Sequence, residues 1–176
     1  MNGSVIRRVV GYVLTLEALL LLLPCIIALY YNEQEGYAYL ASSALCLVLG
    51  GAMSLKKPKS NVFYLKEGCV ATALSWIVLS VFGAIPFVLT GEIPHFVDAL
   101  FETVSGFTTT GASILSDVET LANCTLFWRS FTHWIGCMGV LVFILAMIPL
   151  SGGSNMNLMR AESPGPSVSK IVPKIR

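Results

Sequence analysis

Three consecutive threonines and a glycine are the residues of this chain best suited to chemistry. They are Thr108, Thr109, Thr110 and Gly111, and they lie within the stretch FETVSGFTTTGASILSD, residues 101–117. The carbonyl oxygens of such a turn can replace the hydration shell of a monovalent cation. Gly111 can adopt backbone angles that are closed to residues with a Cβ, and the threonine hydroxyls can either coordinate an ion or anchor the turn from behind. The turn therefore predicts a path for cations.

The residues before this turn predict a short helix that enters a membrane and does not cross it. The stretch FVDALFETVSGF, residues 96–107, reaches about 18 Å as a helix, roughly half of a bilayer core. Asp98, Glu102 and Ser105 share one face, and we expect the apolar residues to pack into protein: Phe96, Leu100, Phe101, Val104 and Phe107. The partial negative charge at the C-terminal end of this helix, together with acidic residues at the outer mouth, favours cations.

The composition places the chain in a membrane. Of its 176 residues, 55% are hydrophobic and 12% are charged, which is too few polar groups to cover a soluble globule of this size. A net charge of +1 gives no sign of a nucleic-acid partner. The five cysteines are scattered through apolar runs, which argues against a disulfide framework or a metal cage. The sequence contains no glycine-rich nucleotide loop and no catalytic constellation, so we do not expect an enzyme.

Four apolar stretches are long enough to be transmembrane helices, since crossing the hydrocarbon core takes about 20 residues. They cover residues 5–30, 37–55, 68–90 and 124–150. The first is too long for a signal peptide and has no small-residue cleavage site. If all four cross, every Lys and Arg except Arg129 falls on one side of the membrane. By the positive-inside rule, both termini are then cytoplasmic.

Three stretches carry a resemblance to a known family. DALFETVSGFTTTGAS, LFWRSFTHWIGCMGVLVFILAMIPL and MRAESPGPSVSKIVPKIR resemble the Trk/Ktr/HKT superfamily of potassium transporters, and specifically its TrkH/TrkG-type membrane subunits. The resemblance covers essentially the whole chain. It implies an all-α integral membrane fold with four unequal repeats around one pore, each made of an outer helix, a pore helix with a filter loop, and an inner helix. Two leading helices precede the first repeat.

Mapped onto this chain, the resemblance implies two leading transmembrane helices in 1–60, a first pore repeat in 61–150 and a cytoplasmic linker in 151–176. Within the repeat, residues 68–90 are the outer helix, 96–113 the pore helix and filter, and 124–150 the inner helix. Only one of the four repeats is present. The resemblance therefore implies the N-terminal portion of a longer transporter.

The resemblance also implies which residues bind the ion. By the family's pattern, the potassium-coordinating carbonyls belong to Thr109 and Thr110, Gly111 is the filter glycine, and Thr108 and Ala112 lie beside them. A serine at the glycine position accompanies sodium permeation in some relatives, so Gly111 indicates potassium. The resemblance thus implies K+ as the bound and transported ion, and no organic cofactor is expected in this chain.

The predicted inner helix departs from the family's pattern at two positions. His133 and Cys137 stand where the family usually has glutamine and glycine, and Cys137 adds a side chain at a contact where small residues let helices approach closely. We interpret Gly136 and Gly139 as close-packing points behind the filter. We interpret His133 as a packing or hydrogen-bonding residue, because a metal site needs more ligands than this one histidine.

Three charged residues in apolar surroundings need partners. We expect Arg129 to form an ion pair that braces the pore loop, either with Glu102 or with the loop that carries Asp117 and Glu119. Glu102 is also expected to accept hydrogen bonds from backbone N–H groups behind the filter. Glu17 lies in the middle of the first predicted span, where an ionisable group is either functional or a neutral, hydrogen-bonded packing residue.

The resemblance implies potassium uptake across the bacterial cytoplasmic membrane, in a multi-pass subunit surrounded by lipid. It also implies a cytosolic TrkA-like nucleotide-binding regulatory subunit and a homodimer of the full-length protein. Two alternatives stay open. A small cation channel could form as a homotetramer that supplies four copies of the turn, or the chain could be a non-transporting membrane anchor or assembly subunit, in which Gly111 would be dispensable.

Overall fold

The fold was analysed in a computed structural model, which describes the backbone of residues 3–55 and 65–147 and the side chains of residues 3–55 and 68–139. Every regular element in these ranges is an α-helix, and these helices are α1 (Gly3–Leu20), α2 (Leu22–Tyr31), α3 (Gly36–Leu55), α4 (Leu65–Thr90), α5 (Phe96–Phe107) and α6 (Asn123–Met147). The expected all-α class is confirmed. The packing presented below lies within one compact unit, residues 1–139.

Three helical stretches in the described ranges are long and apolar enough to cross a membrane. They are Gly3–Tyr31, Gly36–Leu55 and Gly68–Thr90, close to the first three predicted spans, so the chain is a membrane protein. The predicted fourth span corresponds to α6, and its role as a span stays a prediction. The basic segment 56–64 and the proposed linker 151–176 lie outside the described residues.

The first predicted span is two helices joined at Leu21. Pro24 has no N–H group for the carbonyl of Leu20, and its ring crowds that carbonyl. The regular α-helix is therefore interrupted at Leu21, although the N–H group of Leu21 still donates to the carbonyl oxygen of Glu17 at 2.9 Å. The predicted span 5–30 thus corresponds to one apolar stretch, Gly3–Tyr31, that is interrupted at Leu21 between α1 and α2.

The two leading segments pack through small residues. A Cβ on Gly50 of α3 would lie 2.8 Å from Gly11 O and 2.9 Å from Thr15 N of α1, so the two backbones are in direct contact. Ser43 Oγ adds a hydrogen bond to Ala18 O at 2.6 Å. Close approach of small residues is the usual way in which helices associate in lipid.

Gly50→Ala is therefore expected to destabilise the protein by about 1–2 kcal/mol, because the new methyl group meets backbone atoms that cannot rotate away. Gly51→Ala is the matched control. Gly51 lies next to it in the same helix, and a Cβ there would meet nothing within 4 Å, so alanine is expected to be neutral or slightly stabilising. Thermal unfolding in detergent compares the two variants. Equal effects would show that the α1–α3 contact is looser than the structure indicates.

The short helix α5 has the predicted bounds, yet it turns a different face inward. Its buried residues are Ala99, Glu102, Thr103, Ser105, Gly106 and Phe107. The prediction that apolar residues of this helix pack into protein is confirmed for Phe107, which is buried, and for Leu100, which packs against the core. It is wrong in the described chain for Phe96, Phe101 and Val104, which are 44%, 46% and 39% exposed. The polar face is buried because the return loop and α6 offer it hydrogen-bond partners, and buried polar groups need such partners.

Candidate functional site

The turn after α5 has several backbone carbonyls without a hydrogen-bond partner. Its N–H groups bond back to the helix end: Thr108 N to Val104 O at 2.9 Å, Thr109 N to Gly106 O at 2.9 Å and Thr110 N to Ser105 O at 3.0 Å. Within the part of the chain that the structure describes, nothing donates to the carbonyls of residues 108–111. The whole turn is exposed. Its carbonyl oxygens are therefore available to a cation.

Two residues of the turn have left-handed backbone angles. They are Gly111, with φ 74°, and Thr109, with φ 57°. Glycine adopts this conformation without a steric penalty, whereas a β-branched residue there is an outlier. Hydrogen bonds from the N–H groups of Thr109 and Thr110 hold the strained residue in place. A strained backbone that its surroundings hold in one form is common at sites that must be pre-organised.

The hydroxyls of two threonines anchor the turn. Thr108 Oγ1 lies 2.8 Å from Val104 O, to which it donates, and 2.8 Å from Thr110 Oγ1. The sequence allowed either coordination or anchoring, and the geometry of these two hydroxyls is that of anchoring. Thr109 Oγ1 has no hydrogen-bond partner among the described side chains and backbone groups.

Ser105 and Glu102 of α5 hold the far end of the turn. Ser105 Oγ donates to Ala112 O at 2.6 Å. Glu102 Oε1 accepts a hydrogen bond from Ser113 Oγ at 2.9 Å, and Glu102 Oε2 accepts one from Ile114 N at 3.3 Å. The structure therefore contains the backbone hydrogen bond to Glu102 that the sequence predicted.

Arg129 of α6 forms an ion pair with Glu102. The distance from Arg129 Nε to Glu102 Oε1 is 2.6 Å, and the two side chains are 18% and 1% exposed. Of the two partners considered for Arg129, the structure selects Glu102. Asp117 instead accepts a hydrogen bond from the backbone N–H of Glu119 at 3.0 Å. One carboxylate thus connects α6 to the end of the turn.

Glycines let α6 approach the end of α5. A Cβ on Gly136 would overlap the carbonyl oxygen of Phe107 and lie 2.8 Å from its carbonyl carbon, and a Cβ on Gly139 would lie 2.9 Å from the Trp76 ring. Both glycines are thus close-packing points. Cys137 is exposed, so the family departure there crowds no contact in the described ranges.

His133 and Glu17 differ in how well their polar atoms are satisfied. His133 Nδ1 lies 3.0 Å from Arg129 O, which fits a hydrogen-bonding role. The Glu17 side chain is buried, and neither of its carboxyl oxygens has a hydrogen-bond partner among the described residues. A Cβ on Gly83 of α4 would lie 3.2 Å from Glu17 Oε1. Of the two roles considered for Glu17, the hydrogen-bonded packing role thus has no hydrogen-bond partner in this part of the chain.

Two glutamates that the sequence analysis did not single out hold the start of α6. Glu33, between α2 and α3, accepts from Asn123 N at 2.9 Å, Asn123 Nδ2 at 2.8 Å and Cys124 N at 3.0 Å. Glu92, between α4 and α5, accepts from Ala122 N at 2.6 Å. Partial burial opposes ionisation of Glu33, but these hydrogen bonds outweigh it and place the pKa of its carboxyl below the usual value. No local spacing indicates contacts between residues so far apart in sequence.

Comparison with known proteins identifies the family. The family model described as TrkH, cation transport protein, matches residues 35–175. The Trk system potassium uptake protein TrkG of Escherichia coli is 34% identical over 181 residues, and TrkH of Salmonella typhimurium is 35% identical over 179. Each alignment covers 99% of this chain and 37% of the relative. The chain thus spans little more than a third of the length of these relatives.

A solved structure shows the same arrangement of helices. The crystal structure of the potassium transporter TrkH from Vibrio parahaemolyticus matches with a TM-score of 0.80 and 31% sequence identity. The match covers 92% of this chain and 35% of that one. Sequence and structure therefore agree on the family that the pore-loop motifs indicated.

Proposed function

We propose, because this chain belongs to the TrkH family of cation transport proteins, that it forms the N-terminal part of a potassium-uptake subunit. Membership of a transport family also means that the chain is not an enzyme. The names of its relatives support potassium as the transported ion. Since the chain spans 37% of their length, uptake is proposed for the protein to which the chain contributes one pore segment.

The turn at residues 108–112 is the proposed contribution to the filter. The observation that carries this proposal is that the N–H groups of residues 108–110 bond back to α5 while the carbonyls of residues 108–111 accept no hydrogen bond from the described chain. Carbonyls of Thr109 and Thr110 then coordinate K+, with Thr108, Gly111 and Ala112 beside them. One such turn supplies one side of an ion site, so further copies or repeats complete it.

Glu102 and Arg129 are proposed as support for the filter. Glu102 has no direct access to an ion because its side chain is 1% exposed and its oxygens are occupied by Ser113, Ile114 and Arg129. The guanidinium of Arg129 lies within the same ion pair, where it compensates the buried carboxylate. These two residues hold the turn in position and leave coordination to the backbone.

The domain organisation, membrane location and partners of the protein around the filter are proposed from the family. Residues 1–60 form the leading pair, 61–150 the first pore repeat and 151–176 a cytoplasmic linker, in a subunit of the bacterial cytoplasmic membrane with both termini inside. A cytosolic TrkA-like nucleotide-binding subunit regulates it, and two full-length subunits form a dimer. The relatives' description as parts of a Trk system supports a regulatory partner.

Growth of a potassium-uptake-deficient bacterium on low potassium tests this function, with the chain expressed alone and within the longer protein. We expect rescue by the longer protein, and we expect Gly111→Ser to weaken rescue and admit sodium. The control is Gly91→Ser. Gly91 also has a left-handed angle, φ 79°, and both glycines have open space where a Cβ would lie. A serine side chain therefore causes similar backbone strain at Gly91 and at Gly111, and the two variants differ only in where that strain lies.

The outcomes distinguish the proposal from its alternatives. Loss of rescue in Gly111→Ser but not in Gly91→Ser supports a filter at the turn. Equal growth of both variants and the unsubstituted protein would contradict it and favour a membrane anchor or assembly subunit. Rescue by the chain expressed alone would favour a homotetrameric channel, because one turn cannot surround an ion.

A further inference from the structure

The residues at the start of α6 are hydrogen-bonded to glutamates of two interhelical segments that are far away in the sequence. Glu33 binds the backbone N–H groups of Asn123 and Cys124, and Glu92 binds that of Ala122, at distances of 2.6–3.0 Å. Three successive N–H groups are thus taken by two carboxylates. The contact between Glu33 and Asn123 joins residues 90 positions apart, and it links the leading pair of helices to the inner helix of the proposed repeat.

This arrangement replaces an ordinary helix cap. The first N–H groups of a helix have no partner within the helix, and a side chain at the helix start usually accepts from them. Here the Asn123 side-chain amide donates through Nδ2 to Glu33 Oε1 at 2.8 Å, and the acceptors for the backbone N–H groups of residues 122–124 are the carboxylates of Glu33 and Glu92. A carboxylate is favoured at this end by the helix dipole. A glutamate carboxyl is ordinarily ionised at neutral pH, and the hydrogen bonds that lower the pKa of Glu33 favour this form further.

The start of α6 is connected to the filter through the helix itself. Arg129 lies in the second turn of α6 and holds Glu102 at 2.6 Å. Glu102 in turn binds Ser113 Oγ and Ile114 N, the two residues that directly follow the proposed filter turn at residues 108–112. A shift of the start of α6 therefore moves Arg129, and through Glu102 it moves the turn.

We propose that Glu33 is a positioning residue for cation discrimination, through which the leading helices fix α6 and thereby the filter turn. This proposal rests on the function proposed above, because it assigns to Glu33 an effect on that filter. Glu33 touches no ion. Its effect passes through the start of α6, Arg129 and Glu102.

Hydrogen exchange of the intact protein in lipid nanodiscs tests the proposal without transport. Glu33→Ala is expected to speed exchange at the amides of Asn123 and Cys124 about tenfold, which corresponds to loss of a hydrogen bond to a charged group. A smaller increase is expected at Ile114. Glu33→Gln is expected to restore part of the protection, because its amide oxygen still accepts. The control is Glu35→Ala, since the Glu35 side chain makes no hydrogen bond or ion pair with any described residue.

Uptake provides the second measurement, as the ratio of sodium to potassium taken up at matched membrane abundance. We expect the ratio to rise at least about threefold in Glu33→Ala, less in Glu33→Gln, and not in Glu35→Ala, for a loss of roughly 0.7 kcal/mol of discrimination. Unchanged exchange at Asn123, Cys124 and Ile114 overturns the proposal, as does an unchanged ratio in a protein that transports. If the unsubstituted protein transports no potassium, the proposed function fails, while faster exchange at Ile114 still supports the positioning of the turn by Glu33.

Discussion

Replacing Arg129 with methionine is expected to destabilise the protein by about 3–5 kcal/mol, because it leaves a buried carboxylate without its ion-pair partner. The Glu102 side chain is 1% exposed and lies 2.6 Å from Arg129 Nε. The same carboxylate binds Ser113 Oγ and Ile114 N, so the turn at residues 108–112, the proposed filter, is expected to loosen as well. Thermal unfolding in detergent measures the first effect, and the ratio of sodium to potassium uptake measures the second.

A second substitution distinguishes the ion pair from simple loss of packing. Glu102→Gln removes the charge that Arg129→Met leaves uncompensated, so the double variant is expected to be more stable than Arg129→Met alone, by about 1–3 kcal/mol. Glu119→Gln is the control. Glu119 is an exposed acidic residue in the loop before α6, and its substitution is expected to change stability by less than about 0.5 kcal/mol. A double variant no more stable than Arg129→Met would show that the buried charge is not the cause.

The helices near the site were predictable because each has a local cause in the sequence. The short α5 follows from an apolar run that is too short to span and ends at a polar turn. The interruption between α1 and α2, within the span predicted over 5–30, also has a local cause in Pro24. The left-handed angle of Gly111 is one that glycine alone adopts freely.

The face that α5 buries could not be predicted from hydrophobicity. The expectation was that Phe101 and Val104 face the protein, yet Glu102 and Ser105 are buried instead. In a soluble protein, the apolar face is the one that water drives inward. In a membrane helix this force is absent, and the polar face is buried where it finds hydrogen-bond partners.

The contacts between segments that are distant in sequence could not be predicted from local sequence patterns either. The pairing of Arg129 with Glu102 was one of two options, because both candidate partners lie in the same outer region. The contact of Glu33 with the start of α6 joins segments that only the folded chain brings together. Spacing along the sequence describes one helix or turn, and it does not determine which helix ends meet.

Gly136→Ala is expected to destabilise the protein by about 2–3 kcal/mol, although alanine favours helices over glycine by about 0.5–1 kcal/mol. The added methyl group overlaps the carbonyl oxygen of Phe107 and lies 2.8 Å from its carbonyl carbon and 3.0 Å from its Cα. These are backbone atoms of the last residue of α5, so they cannot move without moving Thr108 and the turn. We therefore expect loss of growth on low potassium together with a lower unfolding temperature.

Gly106→Ala provides a graded comparison at the same helix contact. Its methyl group would overlap Thr132 Oγ1, a side-chain atom that can rotate away at the loss of its 2.7 Å hydrogen bond to Arg129 O. A milder effect of about 1–2 kcal/mol is expected, from that hydrogen bond and from residual crowding. Gly51→Ala, whose Cβ meets nothing within 4 Å, sets the baseline for a helical glycine. If Gly136→Ala changes the stability of the protein no more than Gly51→Ala does, then α6 is not in tight contact with the end of α5. The turn at residues 108–112 would then depend on the Glu102–Arg129 pair alone for its support from α6.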